Sequence, residues 1–360
     1  MRISVAMATW NGERFLSQQL SSIARQTRLP DHLVISDDAS DDSTLEIVDR
    51  FAAEAPLEVV VLRNRSRVGF VENFLRAMRA CTGDAIALAD QDDVWHPHKL
   101  EWCERPLIDD RDVVMAVHSA QAVDEYLRPV PADPGASGVR TRALLPPGSL
   151  APFPAAWSGC TIVFRAAIVT QAPPEALPRQ HEVSDPMFHD QWLTIVGSAL
   201  GRVALLPDVL LSYRRHASTA TEAWTGHHSV PVAVRRSQRT MALWRWSTTL
   251  HSAVAQSDEV AGYSRRAERT RVRLARLTLL GPLAASIGPT AVAGLQRSIA
   301  AYEQYAAALE HRADVYADRR RLARAVHIGR NFSRGDYRAR VAGGLGRASL
   351  ARDLTLALIR

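Results

Sequence analysis

The first 90 residues switch repeatedly between two hydrophobic periodicities, and few folds satisfy that alternation. Residues 2–9, RISVAMAT, are apolar with β-branched members and end at WNGE, while residues 13–26 carry Phe15, Leu16, Leu20 and Ile23 at helical spacing. HLVISDD (32–38) reads as a second strand, DDSTLEIVDRFAAE (41–54) opens on capping residues and continues as a helix, and LEVVVLRN (57–64) is a third strand. VGFVENFLRAMRACTG (68–83) predicts a helix stopped at Gly83, and DAIALAD (84–90) a fourth strand. The order β-α-β-α-β-α-β predicts an α/β fold on a mostly parallel sheet with right-handed crossovers.

Ligands of such sheets bind beyond the carboxyl ends of the strands. Polar clusters fall there after three strands: Thr9 and Asn11 after the first, Asp37 and Asp38 after the second, Asp90, Asp92 and Asp93 after the fourth. The last is the sharpest, because the apolar run AIALA delivers three carboxylates into one turn, and carboxylates repel and are costly to bury unpaired. A divalent metal, a basic side chain from elsewhere in the chain, or water would each answer that charge.

Beyond residue 110 the signals thin. DVVMAVHSA (112–120) is strand-like, 128–149 is rich in Pro and Gly and reads as a loop or lid, and 157–168 resumes strand character. DPMFHDQWLTIVGSALG (185–201) predicts a helix with a Gly stop, 203–216 is extended, and from about 230 onward Ala and Leu alternate with Arg in helical fashion. With 360 residues the chain is long for a single core, and its charge divides it. From residue 235 there are 23 Arg against 9 Asp and Glu, a balance of +14, whereas the residues before it hold 21 basic and 29 acidic groups, a balance of −8. We place the boundary between 218 and 229, giving domains 1–225 and 226–360. Every basic residue except Lys99 is Arg, which fits codon bias better than forty functional choices. Cys81, Cys103 and Cys160 form neither a CxxC pair nor an even framework, so no zinc site or disulfide scaffold is indicated and a reducing, cytoplasmic setting fits. The amino terminus reads as a strand and turn, not a signal peptide. Residues 277–296 hold no charge, but Gly281-Pro282 and Gly288-Pro289 interrupt them, so a buried helical hairpin or an interfacial segment is expected over a membrane span.

The stretches VAMATWNGERFLSQQLSSI, VISDDASDDST, GFVENF, DQDDVWHPHKLE, SGCTIVFR, HDQWL and YRRH, in this order over roughly the first 216 positions, resemble family 2 glycosyltransferases of the GT-A fold, and more narrowly the rhamnosyltransferase-like branch of bacterial polysaccharide synthesis. The chemistry of the acidic turn agrees. Mg2+ and Mn2+ take hard oxygen ligands and are commonly held by one or two carboxylates together with substrate phosphates. Asp90 and Asp92, one residue apart, can point into one crevice, where a metal would neutralise a departing diphosphate.

The resemblance implies a role for each position. Asp90 lies by the ribose and Asp92 takes the metal; Asp38 meets the base; Thr9, Asn11 and Glu13 form the first nucleotide-binding turn; Gly69 and Asn73 stand between nucleotide and sheet; Asp190 is the catalytic base; His216 completes the metal shell. Here His189 precedes Asp190 where Glu is the commoner residue, and it could pair with Asp190 or shift its pKa. Each role has a plainer counterpart: a helix-start carboxylate for Asp190, a turn for Gly69, a surface histidine for His216. Asp41 and Asp42 sit where capping residues belong, His96 and His98 flank a helix start, and Trp95 and Trp192 could stack on sugar but by default pack in a core. Processive relatives carry Q-x-x-R-W; this chain has ALWRW at 242–246 with Ala242 in place of Gln, so a non-processive enzyme is expected.

Two other classes compete. A nucleotidyltransferase would need a Gly-rich, basic phosphate loop near the amino terminus, which TWNGER does not supply. A nucleic-acid-binding protein would use the basic region, but its Arg residues are scattered along Ala-rich helices without a recognisable motif. The expectation is a metal-dependent inverting glycosyltransferase using Mg2+ or Mn2+, a nucleotide-diphosphate sugar (dTDP-L-rhamnose first, a UDP-sugar second) and a glycan or lipid-linked glycan acceptor. No nucleic-acid partner is expected; peripheral contact with anionic lipid on the inner face of the plasma membrane is.

Overall fold

The structure, a computed structural model, describes residues 1–131, 139–152, 157–179, 182, 185–216, 254–317, 321–337, 345, 349–350 and 353–354. The boundary at 225/226 and the ALWRW element fall outside these residues.

Strands β1 (Ile3–Thr9), β2 (His32–Asp37), β3 (Glu58–Arg63) and β4 (Ala85–Ala89) lie in the order β3-β2-β1-β4, all parallel. The burial of each strand follows its composition. β1, β2 and β4 are buried along nearly their whole length, whereas β3, which ends on Glu58 and Arg63, is the half-exposed edge. Helices α1 (Leu16–Ala24), α2 (Thr44–Glu54) and α3 (Phe70–Ala80) make the crossovers, and α1 turns Leu16, Leu20 and Ile23 into the core. It starts three residues later than the periodicity suggests, because residues 12–15 form a turn in which Phe15 N donates to Gly12 O at 3.1 Å.

The second half of the sheet is mixed. After β5 (Val94–Trp95) and α4 (Lys99–Asp109), β6 (Val113–Val123) runs parallel to β9 (Arg202–Arg214), while β8 (Ile162–Arg165) is antiparallel to both β4 and β6. β7 (Ala143–Leu145), a strand within the Pro/Gly-rich stretch expected to be a loop, pairs antiparallel with β9. Pro207 and Asp208 lie where the β6–β9 register shifts, between the His118–Leu206 and Ser119–Val209 pairs. A residue without an N–H donor is tolerated in a strand at such an irregularity. The segment 157–168 divides into a 3-10 turn, β8 and the short helix α5 (Ala167–Thr170). Helix α6 (His189–Leu200) begins four residues later than expected, after an extended stretch.

The residues gather into two compact units, and the division is not sequential. The first comprises Met1–Arg214 and Val272–Ala301, so a stretch read from the sequence as part of the second region packs with the first. There the end of helix Val254–Thr278, helix Gly281–Ile287 and the start of helix Pro289–Ala317 bury Leu277, Leu280, Leu283, Ala291 and Leu295. Gly288, at φ 139°, makes the break before Pro289. Among the described residues no helix is long and apolar enough to cross a membrane. In the second unit Tyr263, Leu309, Tyr316, Ile328 and Tyr337 form a small core, and the buried Asp353 accepts hydrogen bonds from Arg312, Tyr316 and Tyr337.

Candidate active site

Three turns meet beyond the carboxyl ends of β1, β2 and β4. In the first, Thr9 is buried and its hydroxyl donates to Asp37 Oδ2 at 2.9 Å. Asn11 adopts a left-handed backbone (φ 46°), donates through Nδ2 to Asp41 Oδ1 at 2.6 Å and accepts from Asp41 N at 3.1 Å. Glu13 N donates to Asp42 Oδ2, and Glu13 Oε2 accepts from Ser43 N, both at 3.1 Å. Asp42 also accepts from Thr44 N at 2.9 Å, one residue ahead of the N-cap Ser43, which makes no side-chain cap of its own. Asn11 and Glu13 thus lace the first turn to the second.

Asp38 is 2% exposed, and its carboxylate accepts from Val68 N at 2.6 Å and Gly69 N at 3.0 Å. Gly69, at φ 88°, makes the turn that aims these amides and starts α3. Arg67 lies 3.8 Å from Asp38 and stacks 3.5 Å above the half-exposed Trp10 ring. Asn73 is buried, donating to Thr9 O and Ser36 O and accepting from Ser36 and Asn64, so it staples β1 to β2 beneath these turns.

The acidic turn carries the electrostatics. Asp90 is half-buried, and its carboxyl is pushed up to about 7, first by removal from water and then by the charge of Asp92, with Asp190 adding to the same effect. Asp93 is fully enclosed and shifted well up by burial; its Oδ1 accepts from Arg214 N at 3.0 Å and its Oδ2 has no hydrogen-bond partner among the described residues. The thiol of Cys160, pushed well up by burial, hydrogen-bonds to Asp90.

Two internal cations face these acids. Lys99 is wholly buried, donates to Cys160 O at 2.6 Å and lies 3.7 Å above the Trp95 ring; burial lowers its pKa to about 8. Arg214 donates through Nε to Asp92 O and through Nη2 to Gln18 Oε1, both at 2.6 Å, and through Nη1 to Glu125 O. A basic side chain from elsewhere, one of the three answers open to sequence, therefore supplies part of the charge. Two glutamines fix the turn: Gln91 accepts from Trp10 N at 2.8 Å and donates to Trp10 O at 3.0 Å, and Gln19 donates to Asp90 O at 3.0 Å. Cys160, Lys99, Arg214, Gln19 and Gln91 were not among the expected site residues. All five lie inside the stretches that carry the resemblance, Gln19 in the first, Gln91 and Lys99 in DQDDVWHPHKLE, Cys160 in SGCTIVFR and Arg214 in YRRH, but nothing in those stretches singled them out.

Asp190 stands in the first turn of α6, half-buried, and accepts from Gln191 N at 2.7 Å. A Cβ on Gly159 would lie 3.6 Å from Asp190 Cβ, and the adjacent Cys160 hydrogen-bonds to Asp90, so the two carboxylates flank the same 159–160 turn. His189 does not pair with it: the ring stacks on Phe74 with centroids 4.1 Å apart, and burial lowers its pKa. Gly159 lets this packing close up, since a Cβ there would stand 2.9 Å from His189 Nε2. Trp95 and Trp192 are core residues, 3% and 1% exposed. His216 is half-buried and belongs with the second unit.

The donor set bears on the metal. Among the described residues the only three-residue group with ligand atoms all within 4.8 Å of one another is Asp90, Asp93 and Cys160; it contains neither Asp92 nor His216. A protonated thiol is a poor ligand for a hard cation. The oxygens do fit one: Asp92 is half-exposed, its repulsion with Asp90 is a demand that a divalent cation meets, and Asp93 Oδ2 is an unpaired acceptor below them.

The family model described as glycosyl transferase family 2 matches residues 4–157. The dTDP-rhamnosyl transferase RfbG of Shigella flexneri is 35% identical over 99 residues, 26% of this chain and 34% of that protein. The UDP-Glc:alpha-D-GlcNAc-diphosphoundecaprenol beta-1,3-glucosyltransferase WfgD of Escherichia coli is 31% identical over 99 residues, 28% of this chain and 38% of that protein. The chain spans about a third of the length of the curated relatives it matches. Among solved structures, S. aureus TarS 1-349 in complex with UDP is 18% identical, with a TM-score of 0.49 over 85% of this chain and 91% of that one.

Proposed function

Residues 4–157 form a glycosyl transferase family 2 domain, and from that premise we propose that this protein transfers one sugar from a nucleotide diphosphate to a hydroxyl of a glycan acceptor, with inversion at C1. The observation that carries the reading is that Asp90 and Asp92, delivered at the carboxyl end of β4, and Asp190, flanking the same Gly159–Cys160 turn, stand together, with burial first and the Asp92 charge second raising Asp90.

In this reading the turns after β1 and β2 hold the nucleoside: Asp38 with its amide clasp and the Asn11–Asp41 lacing shape the base and ribose end. Asp92 would hold Mg2+ or Mn2+, with Asp90 beside it toward the ribose, and the ion when bound would offset charge developing on the diphosphate. Asp190 takes the proton from the attacking hydroxyl as the new C1–O bond forms and the C1–O bond to phosphate breaks, its electron pair leaving with the diphosphate.

The donor we favour is dTDP-L-rhamnose, with a UDP-sugar as the alternative; the names of RfbG and WfgD support one each. For the acceptor we favour a lipid-linked glycan, the class named for WfgD, and the +14 balance from residue 235 onward supports contact with anionic lipid, tested by salt-sensitive binding to anionic but not neutral vesicles. The deciding experiment is calorimetric titration of dTDP and UDP with and without Mn2+ or Mg2+, on the wild type and Asp92→Asn. Metal-dependent binding lost in the variant is expected; a folded protein that binds neither nucleotide under any metal condition overturns the reading.

A further inference from the structure

Helix α6 carries Asp190 in its first turn, yet that end has no side-chain cap, since Phe188 at the N-cap makes no capping hydrogen bond, whereas the far end closes on Gly201 N donating to Gly197 O at 3.1 Å. Both ends are also held by residues 272–301. Before the helix, Arg273 forms a two-pronged pair with Asp185, Nε to Oδ2 and Nη2 to Oδ1, each 2.9 Å. Arg276, itself buried, pairs with Glu182, lies 3.9 Å from Asp185 Oδ2 and directs Nη1 to Met187 Sδ at 3.8 Å. Asp185 is 1% exposed, so a carboxylate five residues ahead of Asp190 is buried on the strength of these two guanidiniums. From that anchor the chain runs through the buried Met187 to Phe188, 5.0 Å from Phe70, and then to His189 stacked on Phe74.

In the last turn of the helix the contacts run to its backbone carbonyls. Gly294 approaches so closely that a Cβ there would press into Ala199 O and Pro147. Gly148 N donates to Ser198 O at 2.6 Å, and Arg297 donates to Pro147 O at 3.1 and 3.0 Å. A helix pinned at both ends by one segment has its long axis set by that segment, and the first turn cannot drift without breaking the Asp185 pair.

We propose that residues 272–301 act as a bracket that sets where Asp190 stands over the donor, with Arg273 and Arg276 as its positioning residues. The proposal rests on the reading of Asp190 as the base. Reactions of this kind lose on the order of 100-fold for about 1 Å of misplacement of a reacting group.

The test compares Arg273→Gln, Arg276→Gln and their double variant in the full chain with Asp190→Asn as benchmark and Arg269→Gln, an exposed charge on the same helix, as control. Hydrolysis of dTDP-L-rhamnose and UDP-glucose, with water as acceptor, is measured alongside the Kd for dTDP and UDP and amide exchange across 185–194. In the double variant hydrolysis falls at least about tenfold toward the Asp190→Asn level while the nucleotide Kd holds within about twofold. Exchange quickens at 185–194, Arg269→Gln matches the wild type, and Arg273→Lys recovers part of the loss. Unchanged hydrolysis and exchange in the double variant overturn the bracket, as does a nucleotide Kd that worsens in step with the rate. A wild type that binds neither nucleotide fails the functional reading instead, and the exchange measurement then decides the bracket alone.

Discussion

At the scale of single residues the acidic turn is a charge problem solved only in part from inside the protein. Asp90 is protonated over a wider range in the folded chain than in the unfolded one, because burial and Asp92 hold its carboxyl up at about 7. Its contribution to stability is therefore complete below the ordinary carboxylate value and is lost as pH rises through about 7. Asp90→Asn keeps an uncharged group there at every pH. Between pH 5 and 8, roughly the window of that shift, the wild type without nucleotide should lose melting temperature relative to Asp90→Asn, and parallel curves would remove Asp90 as the cause. Lys99 offers a second test. The one lysine among 44 basic residues fills a slot between Cys160 O and the Trp95 ring, and a planar guanidinium has no room to fork there. Lys99→Met should destabilise by about 3–5 kcal/mol, as breaking a buried charge arrangement does, and Lys99→Arg should not restore the wild-type midpoint in urea. Asp90 and Asp92 were legible in sequence because an apolar strand delivered them. Lys99 and Arg214 were not, because a lysine at a helix start and an arginine near a strand end have solvent as their ordinary surroundings.

At the scale of elements, α6 shows where periodicity stops being informative. Its apolar stripe and Gly stop were readable, and Gly201 does end it, but the reason is contact: a Cβ at 201 would stand 2.6 Å from Asp112 O and collide with Val114. Since the Asp112 carbonyl is backbone and Val114 is a buried branched side chain, neither moves freely, and Gly201→Ala should cost about 1–3 kcal/mol, read as a lower urea midpoint with unchanged slope. Gly197→Ala is the fair comparison, because its new methyl meets the tip of the Met115 side chain, which can swing aside, so its loss should be smaller. Equal losses would mean that the Met115 tip cannot swing aside, since helix propensity by itself favours Ala over Gly. The same limit explains β7 and β5, which no periodicity announced: two or three residues pair because β9 presents an edge to them. The four parallel strands were legible because each is a long apolar run bounded by turn residues.

At the scale of the whole molecule, charge and composition suggested a cut near residue 225, and that cut would sever the first unit from its own segment 272–301. Composition is blind to this return because Ala-rich helical sequence reads alike whichever core it covers. Leu277, Leu280, Leu283 and Leu295 are each less than 5% exposed, and a fragment ending at 225 would leave uncovered the apolar surface they pack against, together with the Asp185 carboxylate without Arg273. A fragment ending at 301 keeps the whole first unit. The 1–225 fragment should melt several degrees or more below the 1–301 fragment, since each kcal/mol is worth about 2–4 °C at this size, and should bind a hydrophobic dye that the longer fragment ignores. The missing cover and the unpaired buried Asp185 both contribute, and since neither is a solvent-exposed charge a high-salt buffer should leave most of the difference in place. Equal melting of the two fragments would mean that the first 214 residues close their core alone, and that the returning segment serves α6 without supporting the fold.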